Sequence, residues 1–254
     1  MLRVSIFTFF VLLFSVNLFA QTFPKTAVIL ERKQVTPTRE MVLWMTSPTK
    51  NPRSPVDEIY TCPEETRGHY YSGKTSVSLI DSRTKKIVNT LEIAVNDPTD
   101  GNNSLDLPYL IHDGYYSVPK VDKNKEGKPI ILNLKDYNND GKAQEFAIFD
   151  ALACMGLNTT LVGYSENQDK VIQYPIEISL DGDEYETFWL DDLFGHKPNK
   201  QGVWKYEIDY RGRGGALEKY EIRYDKKRET FYGKQTNITE DESKLIIEKE
   251  RPSK

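Results

Sequence analysis

The sequence predicts a β-dominated fold, an antiparallel sandwich or meander with long loops and at most one or two short helices. Three observations point there. Apolar residues recur at every second position over several stretches, the period of a strand with one buried face. Pairs of such stretches flank short polar turns. Apolar spacing of the helical kind is scarce across the 254 residues.

From the N-terminus, Arg3, the apolar run Val4 to Phe14 and the short stretch Ser15 to Ala20 form the three parts of a secretory signal, with cleavage expected after Ala20. Leu18, three residues before that point, is larger than the small residue preferred there, so retention of the segment as an anchor is the alternative. No cysteine follows the apolar run, which argues against a lipoprotein. Residues 1–20 are therefore read as a signal peptide and 21–254 as a single exported β-rich domain, since no stretch resembles a long linker.

Met41 to Met45 reads as a short strand. Thr46 to Pro63, with Pro48, Pro52, Pro55 and Pro63, reads as a long surface loop, as does the turn-rich Asn96 to Pro108. Between them, Val77, Leu79, Ile87, Leu91 and Ile93 flank the polar turn Asp81 to Lys86, a hairpin. Ile130 to Leu134 and Phe146 to Phe149 read as strands on either side of a polar loop. In Val171 to Leu180, Ile172, Tyr174, Ile176, Ile178 and Leu180 alternate with polar residues, and Pro175 interrupts them. That is an edge strand or two strands meeting at a bend. Glu186 to Phe194 is compatible with a short helix. Trp204, Tyr206, Ile208 and Tyr210, the turn Arg211 to Gly215, and Tyr220, Ile222 and Tyr224 form the clearest hairpin. Its other face carries Lys205, Glu207, Asp209, Lys219, Glu221, Arg223 and Asp225, opposite charges placed to pair across strands. The charged tail from Thr239 favours no one state, and no repeat recurs at a fixed period.

Loss of Arg3 with the signal leaves 33 basic residues against 38 acidic ones, a net charge of −5. Mild acidity repels a phosphate backbone, so no nucleic-acid partner is expected, and no membrane span is expected apart from the signal segment. The exported chain keeps Cys62 and Cys154. In an oxidising compartment a disulfide between them is the simplest pairing. By the chain-entropy account an unstrained bridge closing so long a loop contributes about 4 to 5 kcal/mol. The alternative is a Cys154 buried in the apolar run Phe146 to Leu157 and a free Cys62.

The one motif with chemistry is DxNxDG, formed by Asp136, Asn138, Asp140 and Gly141 and followed by Gln144 and Glu145. Alternating Asp and Asn in a tight loop bring side-chain oxygens to one concave side, and glycine at the sixth position supplies the sharp turn. The expected ligands of a hard dication, Ca2+, are the side chains of Asp136, Asn138 and Asp140, the backbone carbonyl of Lys142, and Gln144 or Glu145, with water filling the remainder. DYNNDGKAQEF resembles the calcium loops of EF-hand-type proteins, dockerins and FG-GAP (VCBS-type) β-propeller repeats, over about a dozen residues. Strand-like flanks make the propeller loops the closer likeness. Two departures stand out: Ala147 occupies the twelfth position, where an EF-hand carries a bidentate glutamate, and Gln144 the ninth, where propeller loops carry aspartate. The motif occurs once, so no propeller fold is inferred. Two carboxylates, or three with Glu145, imply a weak site on the order of 0.1 to 1 mM. The same residues also suit a plain β-turn, which favours Asp, Asn and Gly for backbone reasons.

Other constellations are weaker. Asp181, Asp183, Glu184, Glu186, Asp191 and Asp192 form an acidic run suited to a second ion or paired glycosidic carboxylates, but more often such a run is a solvated loop. Phe188 and Trp189 are sugar-stacking candidates, though core anchors are commoner. His69, His112 and His196 are scattered. Gly163, Tyr164, Ser165, Glu166 and Asn167 lack the closing glycine of a nucleophile elbow. Arg211 to Gly215 resembles an RGG segment but sits at a hairpin turn. Fifteen tyrosines suit either half-buried strands or a surface that binds glycans or proteins. Together these features describe a secreted or periplasmic, calcium-assisted, disulfide-stabilised β protein that engages a protein or glycan partner or contributes to the cell envelope. The alternative is an extracytoplasmic hydrolase of glycans or peptides. It ranks second because no nucleophile and base, such as Cys154 with His112, can be placed together from the sequence.

Overall fold

The computed structural model describes residues 22–51, 64–65, 70–94, 104–107, 110–111, 130–152, 156–212 and 214–241. The expected signal segment, Cys62, Cys154, His69, His112 and most of the two expected long loops lie outside those residues, so the expected disulfide does too. In chain order the strands are β1 (Ala27–Thr36), β2 (Arg39–Thr46), β3 (Thr49–Asn51), β4 (Glu64–Glu65), β5 (Tyr70–Gly73), β6 (Thr75–Asp81), β7 (Ile87–Glu92), β8 (Leu105–Leu107) and β9 (Leu110–Ile111). There follow β10 (Glu145–Leu152), β11 (Gly156–Ser165), β12 (Lys170–Gln173), β13 (Ile176–Leu180), β14 (Asp183–Thr187), β15 (Trp189–Asp191), β16 (Val203–Asp209), β17 (Leu217–Asp225) and β18 (Thr230–Ile238). The fold is β-dominated, as the sequence predicts, and among the described residues the only regular helix besides the start of the tail is one 3-10 turn at Leu193–Gly195. No helix among them is long and apolar enough to cross a membrane.

Three sheets make the body. The first has the order β1-β2-β6-β7, the second β10-β11-β12 with β15 also on β11, and the third β14-β13-β18-β17-β16. Two small sheets, β3-β5-β8 and β4-β9, complete the set. All pairings are antiparallel except β13 with β18. The second sheet is buried on both faces. Phe146, Ile148, Val162, Tyr164 and Val171 pack with Met41, Leu43, Met45, Val77 and Leu79 of the first sheet. The intervening Ala147 and Leu161 pack with Ile176, Trp204, Ile222 and Phe231 of the third. A strand covered on two sides reads as a continuous apolar run, which explains why Phe146 onward shows no alternation.

Both predicted hairpins form. β6 and β7 pair through Ser76↔Glu92 to Ile80↔Ile87, and β16 and β17 through Val203↔Arg223 to Asp209↔Leu217. On the wet face of the latter Lys205 reaches Glu221 at 2.8 Å and Lys219 reaches Glu207 at 2.9 Å. Pro175 marks two strands meeting at a bend: the Tyr174 amide still bonds Leu161 of the second sheet, while the Pro175 carbonyl accepts from Phe231 of the third, both at 2.9 Å. The chain changes sheets there.

Two expected elements differ. Glu186 to Phe194 is not one short helix: only Leu193 and Phe194, at its end, are helical, in the 3-10 turn Leu193–Gly195. Leu190, Leu193 and Phe194 have helical spacing, but Trp189–Asp191 pairs with the free stretch of β11 beyond β12, Thr160↔Trp189 to Asn158↔Asp191, and that distant partner satisfies the backbone better. Ile130 to Leu134 is not a strand either. The amides of Ile131 and Leu132 donate to the Glu31 carboxylate of β1 at 2.9 and 2.7 Å, so a side chain takes the place of a ladder.

Candidate metal centre

The DxNxDG loop leaves the end of this irregular segment and enters β10. It is closed by a two-bond bridge, Lys135 N–H to the Glu145 carbonyl at 2.8 Å and Glu145 N–H to the Lys135 carbonyl at 3.2 Å. Inside it, acidic side chains fold back on the loop's own amides. Asp136 accepts from the amides of Asp140 (2.9 Å) and Gly141 (3.0 Å), Asn138 from Asp140 (3.0 Å), and Asp140 from Lys142 (2.9 Å). Asn139 and Gly141 take φ of +58° and +94°, the left-handed geometry that asparagine tolerates and glycine adopts freely. Each carboxylate oxygen keeps a further lone pair, so the amides orient these donors without exhausting them.

Asn138, at 3% exposure, Gln144, at 8%, and Glu145, at 1%, are the buried members. Glu145 pairs with Gly163 across the sheet, and its side chain lies where a Cβ on Gly163 would come within 2.7 Å of Cγ. The glycine makes the space that the carboxyl fills. Burial pushes the Glu145 carboxyl up to about 8; the Tyr137 amide, donating at 3.2 Å, opposes this, and the negative charges of Asp140 and Asp136 add to it.

Asp136, Asn138, Asp140 and Glu145 lie on one loop, with Asp136 exposed; the Lys142 ammonium and the Gln144 Nε2 donate to Glu166 on the β11–β12 turn, Gln144 at 2.8 Å, which leaves the Lys142 carbonyl and the Gln144 Oε1 out of those bonds. Among the described residues no three His, Cys, Asp or Glu side chains converge on a common metal position. An ion here would draw on amide and carbonyl oxygens and on water beside the aspartates, a donor set that fits a hard cation.

Sequence reasoning missed the residues behind the loop. A polar cavity of about 50 Å³ is lined, among others, by Asp140 of the loop, Glu166 of the β11–β12 turn, Tyr174 at the bend and Glu229 of the β17–β18 turn, with the two basic residues Lys142 and Lys226. Glu229 is buried with φ of +53°, and its carboxylate accepts from Ser165 Oγ at 2.7 and 2.8 Å and from Gln168 Nε2 at 2.9 Å. Lys226 stands 4.0 Å from Asp140. The Tyr224 hydroxyl faces the Asn138 side chain. These residues lie far apart in the chain, so no local pattern could announce them. Ser165 and Glu166 fall in the segment that fails as a nucleophile elbow.

The weaker candidates are engaged within the fold. Asp181, Asp183, Glu184 and Glu186 are exposed on the β13–β14 hairpin. Burial pushes the Asp191 carboxyl up, and it accepts from the Tyr210 hydroxyl at 2.6 Å, while Asp192 pairs with His196 at 3.1 Å. Tyr206 stacks on Tyr220 (4.7 Å, 12°) and on His196 (4.5 Å, 19°), and Tyr220 donates to Glu218 at 2.5 Å. Arg211 to Gly215 is a turn, its Arg211 guanidinium on Asp209 at 2.7 Å. A scan against protein-family models finds no match, and searches of curated proteins and of solved structures find no similar chain.

Proposed function

We propose that the protein is an exported β-rich module stabilised by Ca2+, with a disulfide between Cys62 and Cys154, that engages a protein or glycan partner outside the cytoplasm. The observation behind the cation is the crowding of Asp136, Asp140 and the buried Glu145 in one ten-residue loop closed by the Lys135–Glu145 bridge. The negative charges of Asp140 and Asp136 act on the buried Glu145 carboxyl, and a dication held by the loop would offset them. The ligands are the side chains of Asp136, Asn138 and Asp140, the Lys142 carbonyl, and Gln144 or Glu145, with water. Support for export comes from the signal segment 1–20, and support for a binding role from the tyrosines, of which Tyr185 and Tyr232 are exposed on the third sheet.

Calcium that binds the folded state alone raises its stability. At ten times a dissociation constant near 1 mM the gain is about 1.4 kcal/mol, or roughly 3 to 5 °C in the thermal midpoint of a chain this size. Melting curves of the mature protein in calcium and in chelator measure it. Asp140→Ala should abolish the shift, and coincident wild-type curves in the two buffers would refute the reading.

A further inference from the structure

The cavity behind the loop contains a group that the loop alone does not explain. Tyr174 is 2% exposed and lines the cavity, yet its hydroxyl has no hydrogen-bond partner among the described residues. A buried phenol left unpaired is costly, and such groups are nearly always satisfied by something. Its ring is fixed by edge contacts with Tyr224 (6.0 Å) and Phe231 (6.3 Å), so the hydroxyl is aimed by packing. Around it stand the carboxylates of Glu145, Glu229 and Asp140, all near enough to act on it electrostatically. A volume of about 50 Å³ exceeds the roughly 10 to 15 Å³ that one water requires.

We propose that this cavity is the inner half of the loop's cation site: a divalent cation held by the loop carries a coordinated water into it, and that water donates to the Tyr174 hydroxyl. The proposal rests on the calcium reading of the loop and extends it to the third sheet. The chemistry is consistent at each atom. Ca2+ takes six to eight oxygens, and with Ala147 where an EF-hand has its bidentate glutamate, this loop leaves positions for water. A metal-bound water is a strong donor. A tyrosine oxygen accepts one such bond while its own proton goes to a second water. Tyr174 is then a positioning residue, acting on the ion through water and tying the loop to the sheet bend at Pro175.

The test uses the mature protein with Ca2+, and with Tb3+ as a luminescent substitute. Comparison of Tb3+ lifetimes in H2O and D2O counts waters on the ion; the proposal expects at least one, and a fully dehydrated ion would overturn it. Tyr174→Phe keeps the ring and removes only the hydroxyl. Its calcium affinity, by titration calorimetry, should fall roughly tenfold, the usual scale for loss of an outer-shell partner. The calcium-free melting midpoint should be unchanged or raised. An unchanged affinity overturns the proposal, and an unchanged affinity with a lowered calcium-free midpoint identifies the cavity as a structural water chamber. Wild-type protein that takes up no calcium defeats the loop reading itself, whereas wild-type uptake abolished by Asp140→Ala but untouched by Tyr174→Phe defeats only this extension.

Discussion

Glu145 is the residue in which the loop's electrostatics are concentrated. Its carboxyl is held up to about 8 when folded, first by burial and then by Asp140 and Asp136, against an ordinary value near 4.5. Between those two values the folded calcium-free chain keeps a proton that the unfolded chain has released. Stability is therefore fully present below the ordinary carboxyl range and falls as pH rises, by about 1.4 kcal/mol per pH unit at most, until it levels above the folded value. Glu145→Gln keeps an acceptor for the Tyr137 amide and removes the titration. In calcium-free urea denaturation the variant should match wild type at about pH 4.5 and exceed it by on the order of 2 to 4 kcal/mol at about pH 9. Parallel pH profiles for the two proteins would contradict this. Gly163→Ala attacks the same carboxyl sterically, since the added methyl meets Glu145 Cγ at 2.7 Å. An expected loss of about 1 to 3 kcal/mol follows from overpacking in a filled interior, measurable in the same experiment.

Among the elements, legibility followed the distance to the partner. The β6–β7 and β16–β17 hairpins were readable because Val77, Leu79 and Leu91, or Trp204, Tyr206 and Ile222, sit beside their partners in sequence and alternate with polar residues, solvated in β16 and buried (Ser76, Ser78) in β6. Leu190, Leu193 and Phe194 misled because their partner, Thr159 and Thr160 of β11, lies thirty residues away. Ile131 and Leu132 misled because Glu31, a hundred residues upstream, takes their amides. The third sheet also depends on a close approach that no apolar pattern reveals. A Cβ on Gly233 would lie 2.1 Å from the Glu221 carbonyl oxygen of β17, so Gly233→Ala forces β17 and β18 apart. A loss of about 3 kcal/mol in denaturant unfolding is expected; a change within about 0.5 kcal/mol, the range of neutral surface substitutions, would contradict the pairing.

At the scale of the molecule, the two larger of three apolar clusters among the described residues lie on either side of the second sheet, which connects them. Arg39 of β2 adds a polar clamp between the first two sheets, reaching Asp169 through Nε at 2.7 Å and Asp81 through Nη1 at 2.9 Å. The candidate site lies where the loop entering the second sheet meets the β17–β18 turn of the third. Asp136, Asn138, Asp140 and Gly141 were legible as one polar loop, because they fall within six residues at a spacing that suits a cation loop or a plain turn. The residues behind the loop were not, because Tyr174, at the bend between β12 and β13, and Glu229, in the β17–β18 turn, lie far apart in the chain until the fold assembles them. An ion in the loop would therefore bear on two sheets. The most direct test is equilibrium dialysis of the mature protein against radioactive calcium, with Asp140→Ala in parallel. The account predicts uptake of one ion per chain, half-saturated on the order of 0.1 to 1 mM and lost in the variant. No uptake by wild type at concentrations well above that range, or equal uptake by both proteins, would contradict it.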